Sequence, residues 1–214
     1  MKYVSIDIET TGIDKENDQI LEVGAIIEDT LNPLSFDDIP KFKAIIRHDV
    51  YRGNAYAINL NKRIFKILAK RETFKNMHDL VEYDDENNII RLNQLASKLH
   101  EFLHFNLNNN KGGFASLGLE KIKINVAGKN FNGFDKPFLL KVPSINELID
   151  FEYRSIDPAG FYTDFKNDEG FASLNTCLKR AGINKEIEHN ALSDAWHVIL
   201  TLRPQYEREL IFFK

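Results

Sequence analysis

Two carboxylates near the N-terminus, Asp7 and Glu9, are the first residues of this sequence whose type and spacing suit metal chemistry. The alternating residue types from Tyr3 to Ile8 predict a β-strand, on which residues two apart project from one face, roughly 6 to 7 Å apart. Two carboxylates so placed can reach the same cation. The residues that alternate with them are all apolar, namely Val4, Ile6 and Ile8. Such a strand is largely covered by protein, where an unpaired carboxylate is costly unless a cation neutralises it.

A third carboxylate, Asp135, lies in the segment AGKNFNGFD. A strand predicted over Lys123–Ala127 runs into this segment, and a helix predicted over Gly133–Val142 follows, with Pro137 in its first turn. Asp135 therefore falls just after a strand and at the start of a helix, a junction at which α/β proteins assemble sites. The position equally suits an acidic residue that only complements the helix dipole.

A histidine and a fourth carboxylate, His189 and Asp194, lie in the segment HNALSD. If both were on one helix, their side chains would point about 140° apart, because each residue turns the helix by roughly 100°. We therefore expect His189 in the loop before a helix and Asp194 in its first turns. An imidazole titrates near neutrality, so it can act as a general base beside a cluster of carboxylates.

The rest of the chain predicts the elements that must position these side chains. Further strands are expected at Gln19–Glu28, Phe42–Arg47 and the strand end Arg154–Asp157, and loops at the polar runs Glu82–Asn88 and Asn106–Gly113. Helices are expected at Asn59–Lys70, Leu92–Phe105, Leu174–Ala181, and from Ala191 until Pro204 ends or kinks the last one. The predicted fold class is α/β, with three antiparallel strands followed by β/α units in a mixed sheet flanked by helices.

Composition narrows the class of protein. With 214 residues, of which 43% are hydrophobic, the chain is expected to form a single domain over residues 1–214. The lone Cys177 excludes an internal disulfide and a cysteine-based zinc cage. No apolar run is long enough to span a membrane, so we expect a cytoplasmic protein without membrane contact. The net charge of -4 argues against binding of an extended duplex, so basic contacts would have to be local, as at Lys129, Lys136 and Lys141.

In this order, DIETTG, AGKNFNGFD and HNALSD resemble the three motifs of the DEDDh exonuclease family, whose members include proofreading subunits, ribonuclease T and oligoribonuclease. Two further segments support the resemblance: QILEVGA is similar to the second strand of that family, and SLNTCL to the helix before its third motif. A sister subfamily has a tyrosine four residues before the last aspartate. Position 190 is asparagine here, so the histidine branch is the one matched.

The resemblance implies a ribonuclease-H-like fold and a 3′-to-5′ exonuclease that releases nucleoside 5′-monophosphates from single-stranded nucleic acid. It implies His189 as the general base and four metal ligands, Asp7, Glu9, Asp135 and Asp194. Phosphodiester hydrolysis by two divalent ions about 3.5 to 4 Å apart is the expected mechanism. Ligands that offer only oxygen favour Mg²⁺ or Mn²⁺ over zinc.

Substrate contacts are expected at five positions. Thr10, Thr11 and Gly12 follow the first two carboxylates and could contact the terminal nucleotide, although they also suit an ordinary turn. Leu60 could wedge against a base, and Asn130 could contact substrate while capping a helix. The expected partner is the 3′ end of single-stranded DNA or RNA, with the choice of sugar open. A homodimer is possible through the apolar tail Ile211-Phe212-Phe213.

Two other functions fit the same residues. The first is a metal-dependent phosphodiesterase that acts on dinucleotides or another small ester, for which an acidic surface is no obstacle. The second is a nucleic-acid-binding module that has lost the chemistry. The presence of all five site residues argues against the second, because one substitution would have disabled the site.

Overall fold

The computed structural model describes residues 1–107, 120–184 and 189–212, with side chains in the last segment described up to Glu207. The predicted loop Asn106–Gly113 therefore lies outside the described residues from position 108 onward, as do the side chains of the apolar tail. Where helices and strands are described below, the statements concern these ranges.

A six-stranded mixed sheet forms the centre of the described fold. Its strands are β1 (Lys2–Thr10), β2 (Ile20–Asp29), β3 (Lys41–Arg47), β4 (Ile89–Arg91), β5 (Ile122–Ala127) and β6 (Ile149–Ile156). Their spatial order is β4-β3-β2-β1-β5-β6. The first three strands are antiparallel, whereas β5 is parallel to β1, β6 to β5, and β4 to β3. The predicted α/β class and mixed sheet are confirmed.

Helices cover both faces of this sheet. They are α1 (Ala55–Leu60), α2 (Lys62–Arg71), α3 (Met77–Asn87), α4 (Leu92–Leu107), α5 (Asp135–Leu139), α6 (Ile145–Leu148), α7 (Ala159–Tyr162), α8 (Leu174–Arg180) and α9 (Ala191–Phe212). One core cluster packs α4, α5 and α6 against side chains such as Ile6 and Val23. A second packs α8 and α9 against Tyr3 and Ile26, and a third joins α2 and α3 to Leu21 and Ile45. Successive residues of one strand thus pack into different cores.

The acidic run Glu82–Asn88 was predicted as a loop, and that prediction is wrong: most of it belongs to α3, and the short strand β4 follows. The side chain of Asn76 caps the helix by accepting the N–H of His78. Buried Tyr83 packs against Phe74, with ring centroids 5.0 Å apart. The helix is therefore held by its cap, by buried Tyr83, and by the ion pair of 2.7 Å between Asp84 and Arg71.

Other boundaries also differ from the sequence prediction. The expected helix Asn59–Lys70 is interrupted at Asn61, which separates α1 from α2, and Gly133–Val142 is helical only over α5. The strand end expected at Arg154–Asp157 belongs to the longer β6 except for Asp157, which follows its last residue. Pro204 does not end α9, which continues to Phe212. Buried Ile199 and Leu202 and an ion pair between Arg203 and Glu28 hold this part of the helix on the sheet.

The start of α9 lies directly on the backbone of β2. Gly24 permits this approach, because a Cβ atom there would lie 2.4 Å from both the carbonyl carbon of Ala191 and the amide nitrogen of Leu192. On the neighbouring strand, the hydroxyl of Ser5 donates a hydrogen bond of 2.8 Å to the carbonyl of Ala195. The position of α9 relative to β1 and β2 is therefore fixed by contacts at its N-terminal end.

We predict that Gly24→Ala lowers the free energy of unfolding by about 1 to 3 kcal/mol, because the added methyl group must push α9 away from β2. Urea denaturation followed by circular dichroism measures this change. Gly160→Ala is the matched control, since a Cβ atom there has no neighbour within 4 Å and the residue lies in α7. Equal stability of the Gly24 variant and wild type would contradict the close contact.

Candidate metal and catalytic site

Strand β1 presents Asp7 and Glu9 from the face that α9 covers. Across the antiparallel pair, Asp7 lies opposite Gly24 and Glu9 lies opposite Glu22. Glu9 is 8% exposed and Asp7 is partly buried. The sequence prediction of two adjacent carboxylates on a covered strand therefore agrees with the structure.

The turn after β5 carries Asp135 to the same end of the sheet. Asn130 adopts a left-handed backbone conformation with φ of 57°, and its carbonyl accepts the N–H groups of Gly133 and Phe134. Asp135 then begins α5 and is 2% exposed. Its Oδ1 accepts the N–H of Ile8 at 3.1 Å. Because Ile8 stands between Asp7 and Glu9, this bond fixes Asp135 beside the first two carboxylates.

Helix α9 supplies Asp194, and the residue before its cap supplies the imidazole. Asn190 caps the helix, since its side-chain oxygen accepts the N–H groups of Leu192 at 3.2 Å and Ser193 at 3.3 Å. His189 precedes the helix, with φ of 48°, and is exposed, whereas Asp194 is buried in the first turn. Ligand atoms of Glu9, His189 and Asp194 all lie within 4.8 Å of one another. The expected placement of the histidine outside the helix agrees with the structure.

Burial and mutual repulsion destabilise the ionised forms of these carboxylates. Burial raises the pKa of Asp7 well above its ordinary value, and the charges of Asp135 and Asp194 raise it further. Burial raises the pKa of Glu9 to about 7, with Asp194 and Glu22 adding to the shift. Burial also raises the pKa of Asp135, against the opposing effect of its hydrogen bond from Ile8. The protein alone therefore leaves this cluster short of positive charge.

The donor set fits a divalent cation. The carboxylates converge from β1, α5 and α9 with their ionised forms under-compensated, and the oxygen ligands they offer are those that Mg²⁺ and Mn²⁺ prefer. A bound cation would reverse the sign of the local field and hold the carboxylates ionised. Within the described residues, the side chains that come together with ligand spacing are Glu9, His189 and Asp194, and this group does not include Asp7 or Asp135.

The side chains of Thr10 and Thr11, where substrate contacts were expected, form hydrogen bonds within the turn that follows β1. The hydroxyl of Thr10 donates to the carbonyl of Gly12 at 2.6 Å. The hydroxyl of Thr11 accepts the N–H of Gln19 at 2.9 Å and lies 3.5 Å from an oxygen of Asp18. All three turn residues are buried. These side chains shape the loop beside the carboxylates, and their contact with a nucleotide stays a prediction.

Leu60 and Asn130 lie at two other edges of the site. Leu60 is partly exposed at the end of α1, where it remains available for a base. Asn130 is exposed, and its N–H donates to Asp157 at 2.8 Å, so its observed role is in the turn before Asp135.

The three lysines expected to form a basic rim bind groups of the protein itself. Lys129 lies 3.6 Å from Asp157, and Lys141 lies 3.0 Å from Glu16. Lys136 donates to the carbonyls of Phe151 and Glu152 at 3.3 Å each. A substrate phosphate would have to compete for these lysines, which weakens their assignment as a rim.

Three residues beside the cluster were not found by the sequence reasoning. Asn61 is 2% exposed and donates to the carbonyl of Thr10 at 3.1 Å, and Arg63 lies 2.6 Å from an oxygen of Glu22. Both side chains lower the pKa of Glu9. The sequence offered one sign of these contacts. Glu22 is a lone charge within the apolar run ILEVGAII, and a charge on a covered strand needs partners. In the structure Glu22 is fully buried.

A family model described as exonuclease, RNase T, matches residues 4–123, and the chain belongs to this exonuclease family. The match covers Asp7 and Glu9 and ends before Asp135. The resemblance to DEDDh exonucleases is thereby confirmed at the level of the family. A comparison with curated protein sequences gives no match.

Two solved structures share the fold. Exonuclease I from Methylocaldum szegediense matches with a TM-score of 0.57 and 15% identity over 97% of this chain and 40% of that chain. Exonuclease I from E. coli, in complex with a dT13 oligonucleotide, matches with a TM-score of 0.58 and 15% identity over 99% of this chain and 42% of that chain. These likenesses confirm the ribonuclease-H-like fold. The chain spans about two fifths of the length of each.

A membrane-spanning segment was not expected. Among the residues that the structure describes, each helix is too short or too polar to cross a membrane.

We predict that metal-free protein loses stability as the pH rises from 5 to 8, and that Glu9→Gln removes part of this loss, on the order of 2 kcal/mol. The ordinary pKa of Glu9 is 4.5 and the folded value is about 7. A raised folded pKa stabilises the fold below the unfolded pKa, and this contribution is lost as the pH rises through the folded value. Urea denaturation in EDTA at both pH values measures the difference.

The exposed Glu147→Gln serves as the control and should keep the pH dependence of wild type. Added Mg²⁺ should stabilise wild type at pH 8 and should stabilise the Glu9 variant less. Identical pH dependence in wild type and Glu9→Gln would show that burial and neighbouring charges do not raise the pKa of Glu9.

Proposed function

We propose that the protein is a metal-dependent 3′-to-5′ exonuclease that hydrolyses single-stranded nucleic acid and releases nucleoside 5′-monophosphates. One observation carries the proposal: ligand atoms of Glu9, Asp194 and the exposed His189 lie within 4.8 Å of one another, and Asp7 and Asp135 are near enough for their charges to act on the same carboxylates. Membership of the exonuclease family supports the reaction class, and the fold shared with exonuclease I supports this kind of site.

We assign the metal ligands to Asp7, Glu9, Asp135 and Asp194, which would hold two Mg²⁺ or Mn²⁺ ions. When bound, such ions supply neutralisation of the charge that develops on the scissile phosphate and on the departing oxygen. The chain's own contribution is to fix the ligand positions before substrate arrives. Asp135 is fixed by the N–H of Ile8, and Asp194 by its place in the first turn of α9.

His189 is assigned as the general base. Its ring lies within 4.8 Å of ligand atoms of Glu9 and Asp194, and it is the exposed member of that group. A base at this position can take a proton from a water molecule that approaches the scissile phosphate, and then release the proton to solvent. It lies outside α9, before the cap at Asn190, so its backbone is not part of the helix that carries Asp194.

The assignment of a single-stranded substrate and of the 3′ end rests on likeness and charge. The E. coli exonuclease I structure holds a dT13 oligonucleotide. The net charge of -4 here suits a short contact with one strand end better than a long contact with a duplex. Neither observation separates DNA from RNA, so both substrates enter the test.

The test is a time course on matched 5′-labelled single-stranded DNA and RNA with Mg²⁺, Mn²⁺ or EDTA, with Asp7→Ala alongside. We expect a ladder of products shortened one nucleotide at a time, which requires metal and is abolished in the variant. A dinucleotide substrate is included, because cleavage of it without cleavage of longer strands would identify a small-ester phosphodiesterase. Strand binding without cleavage of any substrate would identify a binding module.

We predict that His189→Ala lowers kcat by about 10² to 10⁴-fold, because a positioned general base contributes that range of rate. KM should stay within about threefold of wild type, since the imidazole acts on the attacking water more than on bound substrate. Steady-state kinetics on the preferred oligonucleotide measures both constants. His78→Ala is the control, because that side chain is 83% exposed on α3, and it should behave as wild type. A KM effect without a kcat effect would remove His189 from the chemistry.

A further inference from the structure

Glu22 is a fully buried carboxylate that the proposed chemistry does not use. It lies on β2 directly opposite Glu9 and is 0% exposed. A buried charge of this kind is strongly destabilising unless other groups compensate it. The groups that compensate Glu22 come from three separate elements, all of which border the site.

The first compensating group is a backbone N–H of α9. Oε2 of Glu22 accepts the N–H of Ala191 at 3.1 Å. The first N–H groups of a helix have no partner within the helix and need one from outside. Asn190 takes those of Leu192 and Ser193 with its side chain. Glu22 takes that of Ala191, so a residue of the sheet takes part in capping the first turn of α9.

The other compensating groups are two cations. Arg63 of α2 places a guanidinium nitrogen 2.6 Å from Oε2, and Lys43 of β3 places its ammonium 3.2 Å from Oε1 without hydrogen-bond alignment. The side chains of Lys43 and Arg63 are 31% and 37% exposed. Glu22 therefore ties β3 and α2 to the start of α9, from beneath the carboxylate cluster.

The bonded residue, Ala191, lies between the two functional residues of its segment. His189 is two positions before it and Asp194 three positions after it. The close backbone contact at Gly24, two residues along β2 from Glu22, holds the same turn by its shape. A shift of about 1 Å in a catalytic group can cost 10²-fold in rate, so an anchor at this point bears directly on turnover.

We propose that Glu22 is a positioning residue, which holds the start of α9 so that Asp194 and His189 meet Glu9 in working geometry. The proposal rests on the proposed exonuclease function. Glu22 touches neither substrate nor metal in this role. It acts through the N–H of Ala191 and through the two cations that keep its own carboxylate in place.

The test uses Glu22→Gln, which keeps the size of the side chain but puts an amide NH₂ group against at least one of the two cations. The chain offers a matched control in Glu28→Gln. Glu28 lies on the same strand, is also 0% exposed, and is also paired with an arginine, at 2.9 Å from Arg203 of α9. It differs in lying away from the cluster, toward the other end of β2.

Three experiments are done on wild type and both variants. They are thermal unfolding, steady-state kinetics for kcat and KM well below the unfolding temperature, and backbone hydrogen exchange of the first turn of α9. In Glu22→Gln we expect kcat to fall about 10 to 100-fold, with KM within about threefold and faster exchange at Ala191 to Asp194. In Glu28→Gln we expect a comparable loss of thermal stability, with kcat within about twofold of wild type and unchanged exchange at that turn.

The outcomes separate the two proposals. If both variants lose stability and both keep kcat, or if both lose kcat in proportion to stability, Glu22 has only a structural role and the inference is overturned. If wild type cleaves no substrate, the proposed function fails, and hydrogen exchange alone then decides whether Glu22 anchors α9. Unchanged exchange in Glu22→Gln would refute the anchor whatever the activity.

Discussion

The structure depends on holding four carboxylates together in a place where their charges repel and water is scarce. Asp7, Glu9 and Asp135 all have raised pKa values, for which burial is the first cause and neighbouring carboxylates are a further one. A cluster of this kind opposes folding unless protons or cations neutralise it. The surrounding elements must therefore supply enough packing energy to keep these carboxylates in place. A divalent cation bound among them would reduce their mutual repulsion.

The fold meets this requirement by dividing two tasks between the faces of the sheet. On one face, α4, α5 and α6 pack on a large apolar core, which fixes the strands. On the other face, α9 crosses β1 and β2 and carries Asp194 to the cluster. Two buried glutamates of β2 bind groups of this helix, Glu22 at its first residue and Glu28 at Arg203. Helix α9 is thus held near both ends of β2, and the end that carries Asp194 is held by a residue adjacent to the carboxylate cluster.

Sequence spacing predicted the parts of the site that depend on local geometry. A spacing of two residues on a strand predicted that Asp7 and Glu9 share one face, as the structure shows. A spacing of five residues predicted that His189 lies outside the helix that carries Asp194, which also agrees with the structure. The polarity of Glu82–Asn88 predicted a loop where α3 forms. The helix is stabilised by the cap at Asn76 and the packing of Tyr83, which polarity alone does not indicate. The sequence reasoning also missed the link from Arg63 to Glu22, since these residues are 41 positions apart and only the folded chain brings them together.

The measurement that tests the central claim most directly is a crystal structure of the protein with Mn²⁺ and thymidine 5′-monophosphate, with anomalous scattering data collected to locate manganese. The account predicts two manganese peaks among Asp7, Glu9, Asp135 and Asp194, about 3.5 to 4 Å apart, with the nucleotide phosphate beside them. A map in which manganese is absent from these carboxylates, or bound only elsewhere on the chain, would contradict it.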